Sequence, residues 1–274
     1  MRSTTTVESN VSSYANSSSA SDADSGKGMG RCLHNLKLLR FEIILLLIIA
    51  VGIRAAAYHG KDLERDAWQY IGLAENYHGS WSPGEIYQAD MEKRNPPLLL
   101  MILIAGERLG ISAKYLGVVF SVTLGSLTCL GCLLLFRLLW PQHPHIGFFA
   151  GFLFATLPRA IDYSASVLRD PGYWCALIFA LYFWHRGILR HKMPDMIWTG
   201  MCIAFGVLLR KEGLEPLLLI GMETLLLLLI PSWRKKGFAD VPIRFLVKSN
   251  AVIWITLILL ELPFAGFWYH YLAG

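Results

Sequence analysis

The sequence predicts an all-α fold, a polytopic transmembrane helical bundle of about seven spans with short interfacial helices in the first outer loop. Hydrophobic residues make up 54% of the 274 residues and charged residues 16%, whereas soluble domains carry about 25% charged residues. The apolar residues also fall into long runs that are bounded by charges. These two observations exclude a purely soluble protein.

The five cysteines argue against a small secreted domain held together by disulfides. Their number is odd, and four of them lie inside apolar runs; they are Cys32, Cys129, Cys132, Cys175 and Cys202. A disulfide framework is therefore excluded. Cys129 and Cys132 form a C-x-x-C pattern, but it lies near Gly125 and Gly131 in an apolar helix, which indicates helix packing rather than redox or metal chemistry.

We expect two regions, a disordered cytoplasmic tail with a basic flank over residues 1–40 and a transmembrane domain over residues 41–274. The first 30 residues are rich in Ser and Thr and contain few large apolar side chains, so they cannot bury enough surface to offset the entropy of ordering. The first span, 41–58, carries Glu42 and Arg54 near its ends, where long side chains can reach the headgroups. We interpret it as an uncleaved signal anchor; a signal peptide cleaved near residues 55–57 is the alternative.

Six further apolar runs complete the predicted bundle, and charged residues mark most of their ends. The runs 171–185 and 196–209 are the shortest and need interfacial neighbours to cross a bilayer. The six predicted spans are 115–136, 140–158, 171–185, 196–209, 216–233 and 245–262.

The distribution of Lys and Arg predicts the orientation. With the N-terminal tail in the cytoplasm, 14 of the 25 Lys and Arg residues fall in cytoplasmic segments, as the positive-inside rule requires. Eight acidic residues between residues 62 and 107 accompany the basic residues of the opposite side. The loop 59–114 is therefore predicted to lie outside.

The outer loop is predicted to be ordered. Apolar side chains recur at helical spacing from residue 67 to residue 77, which is typical of an amphipathic helix lying on a membrane surface. Asp66 and Tyr70 are four residues apart, so they share one side of this helix. Pro96 and Pro97 then start an apolar segment, 98–104, that is too short to cross and is expected to be interfacial or re-entrant.

Four segments carry a resemblance to a known family. The run 65–76, RDAWQYIGLAEN, resembles the D-E-x-x-Y opening of the first outer loop in GT-C glycosyltransferases, which use polyprenyl-phosphate sugars and include protein O-mannosyltransferases and aminoarabinose transferases. The segment 92–98, EKRNPPL, resembles their basic x-K/R-x-P-P-L segment. Residues 164–171 resemble the second outer acidic segment, and 209–213, LRKEG, resembles a later R-x-E-G turn.

The sequence departs from the family pattern in two respects. Ala67 stands where the second acid of the D-E pair is usual, and the chain has about half the length expected for the family. We therefore expect it to correspond to an N-terminal half.

The resemblance implies an inverting transfer of a sugar from a polyprenyl-phosphate donor to an acceptor hydroxyl. It implies Asp66 as the catalytic base, and Lys93, Arg94, Arg169 and Arg210 as cations for the donor phosphate. Supporting roles fall to Arg65, Tyr70, Asp170 and Glu212. We expect no metal and no cofactor.

The resemblance also implies the partners and the location of the protein. The acceptor would be a glycan, a lipid or a protein, in contact with membrane lipids and without nucleic acid. We expect a multi-pass protein of the bacterial inner or plasma membrane, with the endoplasmic reticulum as the alternative.

Each candidate residue also has a structural interpretation. Asp66 could be a solvated acid or pair with an arginine, and Lys93 and Arg94 could bind anionic headgroups. Asp170 could stabilise the start of a helix through its dipole. The stretch Arg210, Lys211 and Glu212 could be a self-neutralising turn.

A second class of function is a non-catalytic transporter or assembly subunit. Transporters place charged residues near the middle of their spans, whereas the candidate residues of this chain fall at one predicted membrane face. That asymmetry favours an interfacial enzyme. Glu223 lies inside a span, where we expect it to pack against a polar partner.

Overall fold

The computed structural model of the protein describes residues 22–59, 63, 65–83, 85–86, 97–230 and 241–273. Every regular element in these residues is a helix, which confirms the all-α prediction. Among the described residues, those up to Glu42 and those from Ile43 onward belong to two separate compact units. Helix α1 runs from Asp22 to His59, so it begins earlier than the predicted start at residue 41.

Two short helices form the described part of the outer loop, α2 (Arg65–Glu75) and α3 (Leu98–Arg108). The predicted apolar stripe of α2 is buried, since Ala67, Tyr70, Ile71 and Ala74 are each at most 5% exposed. Its partner differs from the prediction. The stripe packs against Leu99, Leu103 and Ile104 of α3 within the protein, rather than lying on a membrane surface.

The centre of the bundle is helix α4 (Ala113–Leu139), which packs against α5 (His145–Thr156), α6 (Pro158–Ser164) and α7 (Asp170–Arg190). Its glycines let the neighbours approach closely. A Cβ atom on Gly131 would lie 2.7 Å from a side-chain carbon of Ile178 in α7, which agrees with the predicted packing role of this stretch.

Helix α8 (Met193–Leu209) follows α7 after two residues, His191 and Lys192. His191 adopts the left-handed conformation that ends α7. So short a connection makes α7 and α8 antiparallel neighbours, and Arg186 binds both carboxylate oxygens of Asp195 across them, at 2.6 and 3.1 Å.

The remaining described helices are α9 (Glu215–Leu229), α10 (Ile243–Glu261) and α11 (Ala265–Ala273). A 3-10 turn, Lys211–Leu214, joins α8 to α9, and another, Leu262–Phe264, joins α10 to α11. Helix α10 packs on α8 in an apolar cluster that includes Ile203, Val207 and Ile253. This cluster forms the second core of the protein.

Two helical stretches of the described residues are long and apolar enough to cross a bilayer. They are Ala113–Leu139 and Ile243–Tyr269, each of 27 residues. The apolar helices α5 and α8, with 12 and 17 residues, are shorter. These two stretches support an association with a membrane. The total of about seven crossings stays a prediction.

Arg54 corrects one detail of the sequence analysis. Its position near the end of the first span suggested that the side chain reaches the headgroups. The structure instead buries the whole residue at 0% exposure, inside the protein rather than at its surface.

Candidate functional site

The first part of the candidate site is the start of helix α2. Asp66 lies in the first turn of α2, where the positive end of the helix dipole favours a carboxylate. The residue is exposed, and within the described part of the chain its carboxylate has neither a hydrogen bond nor an ion pair. One helical turn further on, Tyr70 is 5% exposed and packs into the core. Asp66 is thus an available carboxylate on a rigidly packed helix.

The second part is the connection between α6 and α7. Residues 165–168 are irregular in backbone and yet fully buried. Leu168 is anchored to α4, where the Ser121 hydroxyl donates to the Leu168 carbonyl at 3.3 Å. Gly117 makes room for Val167, since a Cβ on that glycine would lie 2.9 Å from a methyl of Val167. This anchoring positions Arg169, the next residue.

Arg169 joins these two parts. Its guanidinium carbon lies 5.7 Å from the centre of the Tyr70 ring, a cation–π contact. No hydrogen bond or ion pair engages its guanidinium in the described residues. The structure thus brings a cation with free N–H donors next to the helix that carries Asp66, although almost 100 residues separate them in sequence.

The third part is an ion-pair network at the ends of α7 and α8. Arg210 ends α8 and forms an ion pair with Asp170, the first residue of α7. Its Nε atom also donates to Glu212 Oε2 at 3.2 Å. The guanidinium carbon lies 5.7 Å from the centre of the Tyr173 ring. Asp170 therefore meets Arg210 and Glu212 in one cluster, although 40 residues separate Asp170 from Arg210 in sequence.

The charges of this network shift the pKa values of Arg210 and Glu212. Burial by itself lowers the pKa of Arg210, but the charge of Asp170 and the hydrogen bond to Glu212 outweigh it, so the pKa is raised. Burial would raise the pKa of Glu212, but backbone hydrogen bonds and the Arg210 guanidinium lower it below its ordinary value. Arg210 and Glu212 therefore both stay charged at neutral pH, and the ion pair between them persists.

Sequence reasoning missed two members of the network. The Tyr173 hydroxyl donates to a carboxylate oxygen of Glu215. Tyr173 lies three residues after Asp170, and Glu215 three residues after Glu212. Because residues three apart in a helical segment are neighbours, this spacing is the signal that could have identified them.

The rim of the outer loop contains further cations that the sequence analysis did not single out. Lys114 Nζ lies 5.4 Å from the ring centre of Trp68, and Arg108 lies at the same distance from that of Trp81. Arg108 also donates to the carbonyl of Gly79 at 2.7 Å. These contacts tie the loop to α3 and α4.

The candidate residues have three outcomes. The structure brings Tyr70 and Arg169 together, and it brings Asp170, Arg210 and Glu212 together. Arg65 is exposed at the start of α2. Lys93 and Arg94 lie outside the described residues. The described residues contain no cluster of His, Cys, Asp or Glu suited to a metal ion.

The geometry ranks the candidate cations. Arg210 is already engaged by two carboxylates, so a phosphate would have to compete with them; the self-neutralising interpretation of this turn is right to that extent. Arg169 has no such partner among the described residues and is only half-buried. Arg169 is therefore the cation best placed to bind an anionic ligand, because its planar fork can hold two oxygens at once.

Comparison with known proteins adds no relative. No family model, no curated protein and no solved structure matches this chain.

Proposed function

We propose that this protein is a GT-C-like membrane glycosyltransferase that transfers a sugar from a polyprenyl phosphate to an acceptor hydroxyl with inversion. One observation carries the proposal. The contact of Arg169 with Tyr70 joins two of the sequence segments on which the resemblance rests, and it places a free cation beside the helix of Asp66. A reaction of this type needs a carboxylate that acts as the base and a cation that binds the phosphate, and the two must lie near each other.

The proposed chemistry divides between these two residues. Asp66 takes the proton of the acceptor hydroxyl as the new glycosidic bond forms, because a neutral hydroxyl is a weak nucleophile. The bond between the anomeric carbon and the phosphate oxygen breaks, and negative charge grows on the leaving phosphate. Arg169 stabilises that charge. The network of Asp170, Arg210 and Glu212 holds Arg169 and the start of α7 in place.

The finer membrane arrangement belongs to the same proposal. With about seven crossings, the distribution of Lys and Arg favours a cytoplasmic N-terminus and an outer loop 59–114, so that Lys93 and Arg94 would lie on the same side of the membrane as Arg169. The polyprenyl chain would lie against apolar helix surfaces, which bind it without polar partners. We infer a bacterial inner or plasma membrane and a glycan, lipid or protein acceptor.

The test is a transfer assay with the purified full chain in lipid nanodiscs, a radiolabelled polyprenyl-phosphate sugar and a panel of acceptors. Asp66→Asn should lower kcat about 100-fold or more, since a positioned base contributes at least that much. Glu75→Gln is the matched control, an exposed acid at the other end of the same helix, and it should retain full activity. Equal turnover by wild type and Asp66→Asn would remove Asp66 from the mechanism.

The role of Arg169 is tested separately in the same assay. Arg169→Gln should lower kcat/KM for the donor about tenfold or more, with the loss mainly in kcat, because the charge that grows on the leaving phosphate loses its cation. Arg159→Gln is the control, an exposed arginine whose hydrogen bond goes to Tyr163 at 2.9 Å. An unchanged kcat/KM in Arg169→Gln would contradict the proposed role of Arg169 at the leaving phosphate.

A transporter is the second candidate, and one cluster favours it. Glu223 of α9 accepts a hydrogen bond from Trp184 at 2.8 Å, and His185 Nε2 lies 3.4 Å from its other oxygen. Ionisable groups inside apolar helices often mark ion or proton pathways. If the protein is a transporter, Glu223→Gln should abolish the uptake of the transported ion or proton into proteoliposomes. Asp66→Asn should leave that uptake unchanged.

A further inference from the structure

Arg54 is a buried cation that no part of the proposed reaction uses. It lies five residues before the end of α1, which is about 7.5 Å along the helix axis. The side chain is fully buried, at 0% exposure. Its guanidinium approaches α4 at Gly125, where an added Cβ atom would lie 3.0 Å from Arg54 Nε. The charge is therefore enclosed between helices rather than held in water.

The hydrogen bonds of Arg54 leave half of its guanidinium without a partner. Nη1 donates to two carbonyl oxygens, that of Ala50 at 3.1 Å and that of Ala155 at 3.5 Å. Nε and Nη2 are buried and make no well-formed hydrogen bond, although the thiol of Cys129 on α4 lies close to the guanidinium. No carboxylate of the described residues forms an ion pair with Arg54. Buried polar atoms without partners are rare, so these two nitrogens need an explanation.

The two unpartnered nitrogens form one edge of the guanidinium. Nε and Nη2 point their N–H groups in the same direction, and this edge is the one that arginine uses to hold an anion with two hydrogen bonds. Because both carbonyl contacts use the opposite Nη1 atom, the free edge is available as a unit.

Charge balance and burial define the ligand. A lone positive charge in a low-dielectric interior is costly unless an opposite charge accompanies it. One negative charge neutralises the guanidinium, whereas a doubly charged ion would leave an excess charge buried. The backbone of Gly125 comes close to Nε, since an added Cβ atom would lie 3.0 Å from it, so a large polyatomic ion has no room on that side.

We propose that the Nε and Nη2 edge of Arg54 binds one small monovalent anion, chloride in its size and charge, between α1, α4 and the end of α5. The anion completes the hydrogen bonds of the guanidinium and neutralises it. The anion also stabilises the junction between α5 and α6, because the arginine that it binds contacts the carbonyl of Ala155 in the last turn of α5. The site is separate from Asp66 and Arg169 and does not depend on the proposed reaction.

The direct test is equilibrium binding of radioactive chloride to the purified full chain in nanodiscs, with gluconate as the replacing anion. We expect saturable binding of one chloride per chain, competition by bromide and no competition by gluconate. Wild-type protein without saturable binding would overturn the proposal, since water alone would then satisfy the two nitrogens. This measurement needs no variant, so it stays decisive if changes at Arg54 impair folding.

Variants then assign the binding to Arg54. Arg54→Met removes the charge and Arg54→Lys keeps it without the two-nitrogen edge; both should lose saturable binding. Arg159→Met, which removes an exposed arginine, should bind chloride as the wild type does. Chloride at about 100 times its dissociation constant should also shift the folding equilibrium of the wild type by about 100-fold. The same binding or the same shift in Arg54→Met would overturn the assignment.

Discussion

Arg210 is the single residue that connects the most parts of the candidate site. Its guanidinium reaches Asp170 at the start of α7 and Glu212 in the 3-10 turn, and it lies over the ring of Tyr173. Because these groups belong to different elements, the arginine determines how the ends of α7 and α8 meet. The network is partly exposed, with 30% of the Arg210 side chain accessible, so we expect each pair to contribute only modestly.

The lowered pKa of Glu212 gives a pH prediction. A carboxylate whose pKa is lower in the folded state stabilises the fold above its unfolded value, near 4.5, and loses that contribution as the pH falls through the folded value. Glu212→Gln should therefore lower the free energy of unfolding by about 0.5–1 kcal/mol at pH 7. The difference from wild type should vanish in strong acid.

Denaturant unfolding of both proteins between pH 7 and pH 3 measures this difference. Glu75→Gln serves as the control, since Glu75 is exposed at the end of α2 and forms no ion pair in the described residues. Its stability should match that of wild type across the whole range. A Glu212→Gln difference that is independent of pH would show that the side chain acts through packing and not through its charge.

Among the elements, the 3-10 turn Lys211–Leu214 is the one that determines the geometry of the network. It packs directly on the last turns of α8, and Gly213 makes this approach possible. A Cβ atom on Gly213 would overlap the backbone of Gly206 and Val207. Backbone atoms cannot move aside as a flexible side chain can, so the turn itself would have to shift.

Gly213→Ala should therefore destabilise the protein by about 1–3 kcal/mol and displace Arg210 from Asp170. Gly221→Ala is the matched control in α9, because nothing lies within 4 Å of the added Cβ atom. That substitution should be neutral or stabilising by up to about 1 kcal/mol, since alanine favours the helix. Thermal unfolding of the two variants in one detergent distinguishes them, and equal midpoints would contradict the close packing of the turn.

For the whole molecule, the testable property is its topology in the membrane. Two helical stretches are long and apolar enough to cross, and α10 exposes many of its large apolar side chains, as expected for a surface in contact with lipid. From the positions of Lys and Arg we propose that the N-terminal tail lies in the cytoplasm. The outer loop with Asp66 and the turn at residues 140–144 would then lie on opposite sides.

Single cysteines introduced in a cysteine-free background test this arrangement in intact cells. Ser80→Cys, in the outer loop, should react with a membrane-impermeant maleimide. Gln142→Cys should react only after the membrane is made permeable. Both positions are exposed, so a difference in labelling reports the side of the membrane rather than burial. Labelling of Gln142→Cys in intact cells would overturn the proposed topology.

The local features of this fold follow from local sequence patterns. The helical spacing of Ala67, Tyr70, Ile71 and Ala74 correctly predicted the helix α2 and the residues of its apolar face, although this face packs on α3 and not on the predicted membrane surface. The paired prolines before residue 98 correctly marked the start of α3. Such predictions succeed because backbone hydrogen bonding and side-chain periodicity depend on residues within one or two turns.

The candidate site depends on contacts between distant segments, which no local pattern contains. Tyr70 meets Arg169 and Asp170 meets Arg210 only because α2, α3 and α4 pack together and α7 returns beside α8. Arg54 shows the same limit. A helix in a membrane has apolar surroundings both toward lipid and toward its neighbours, so hydropathy cannot tell an arginine that points outward from one that is enclosed; packing alone decides, and it encloses Arg54 beside α4 and α5.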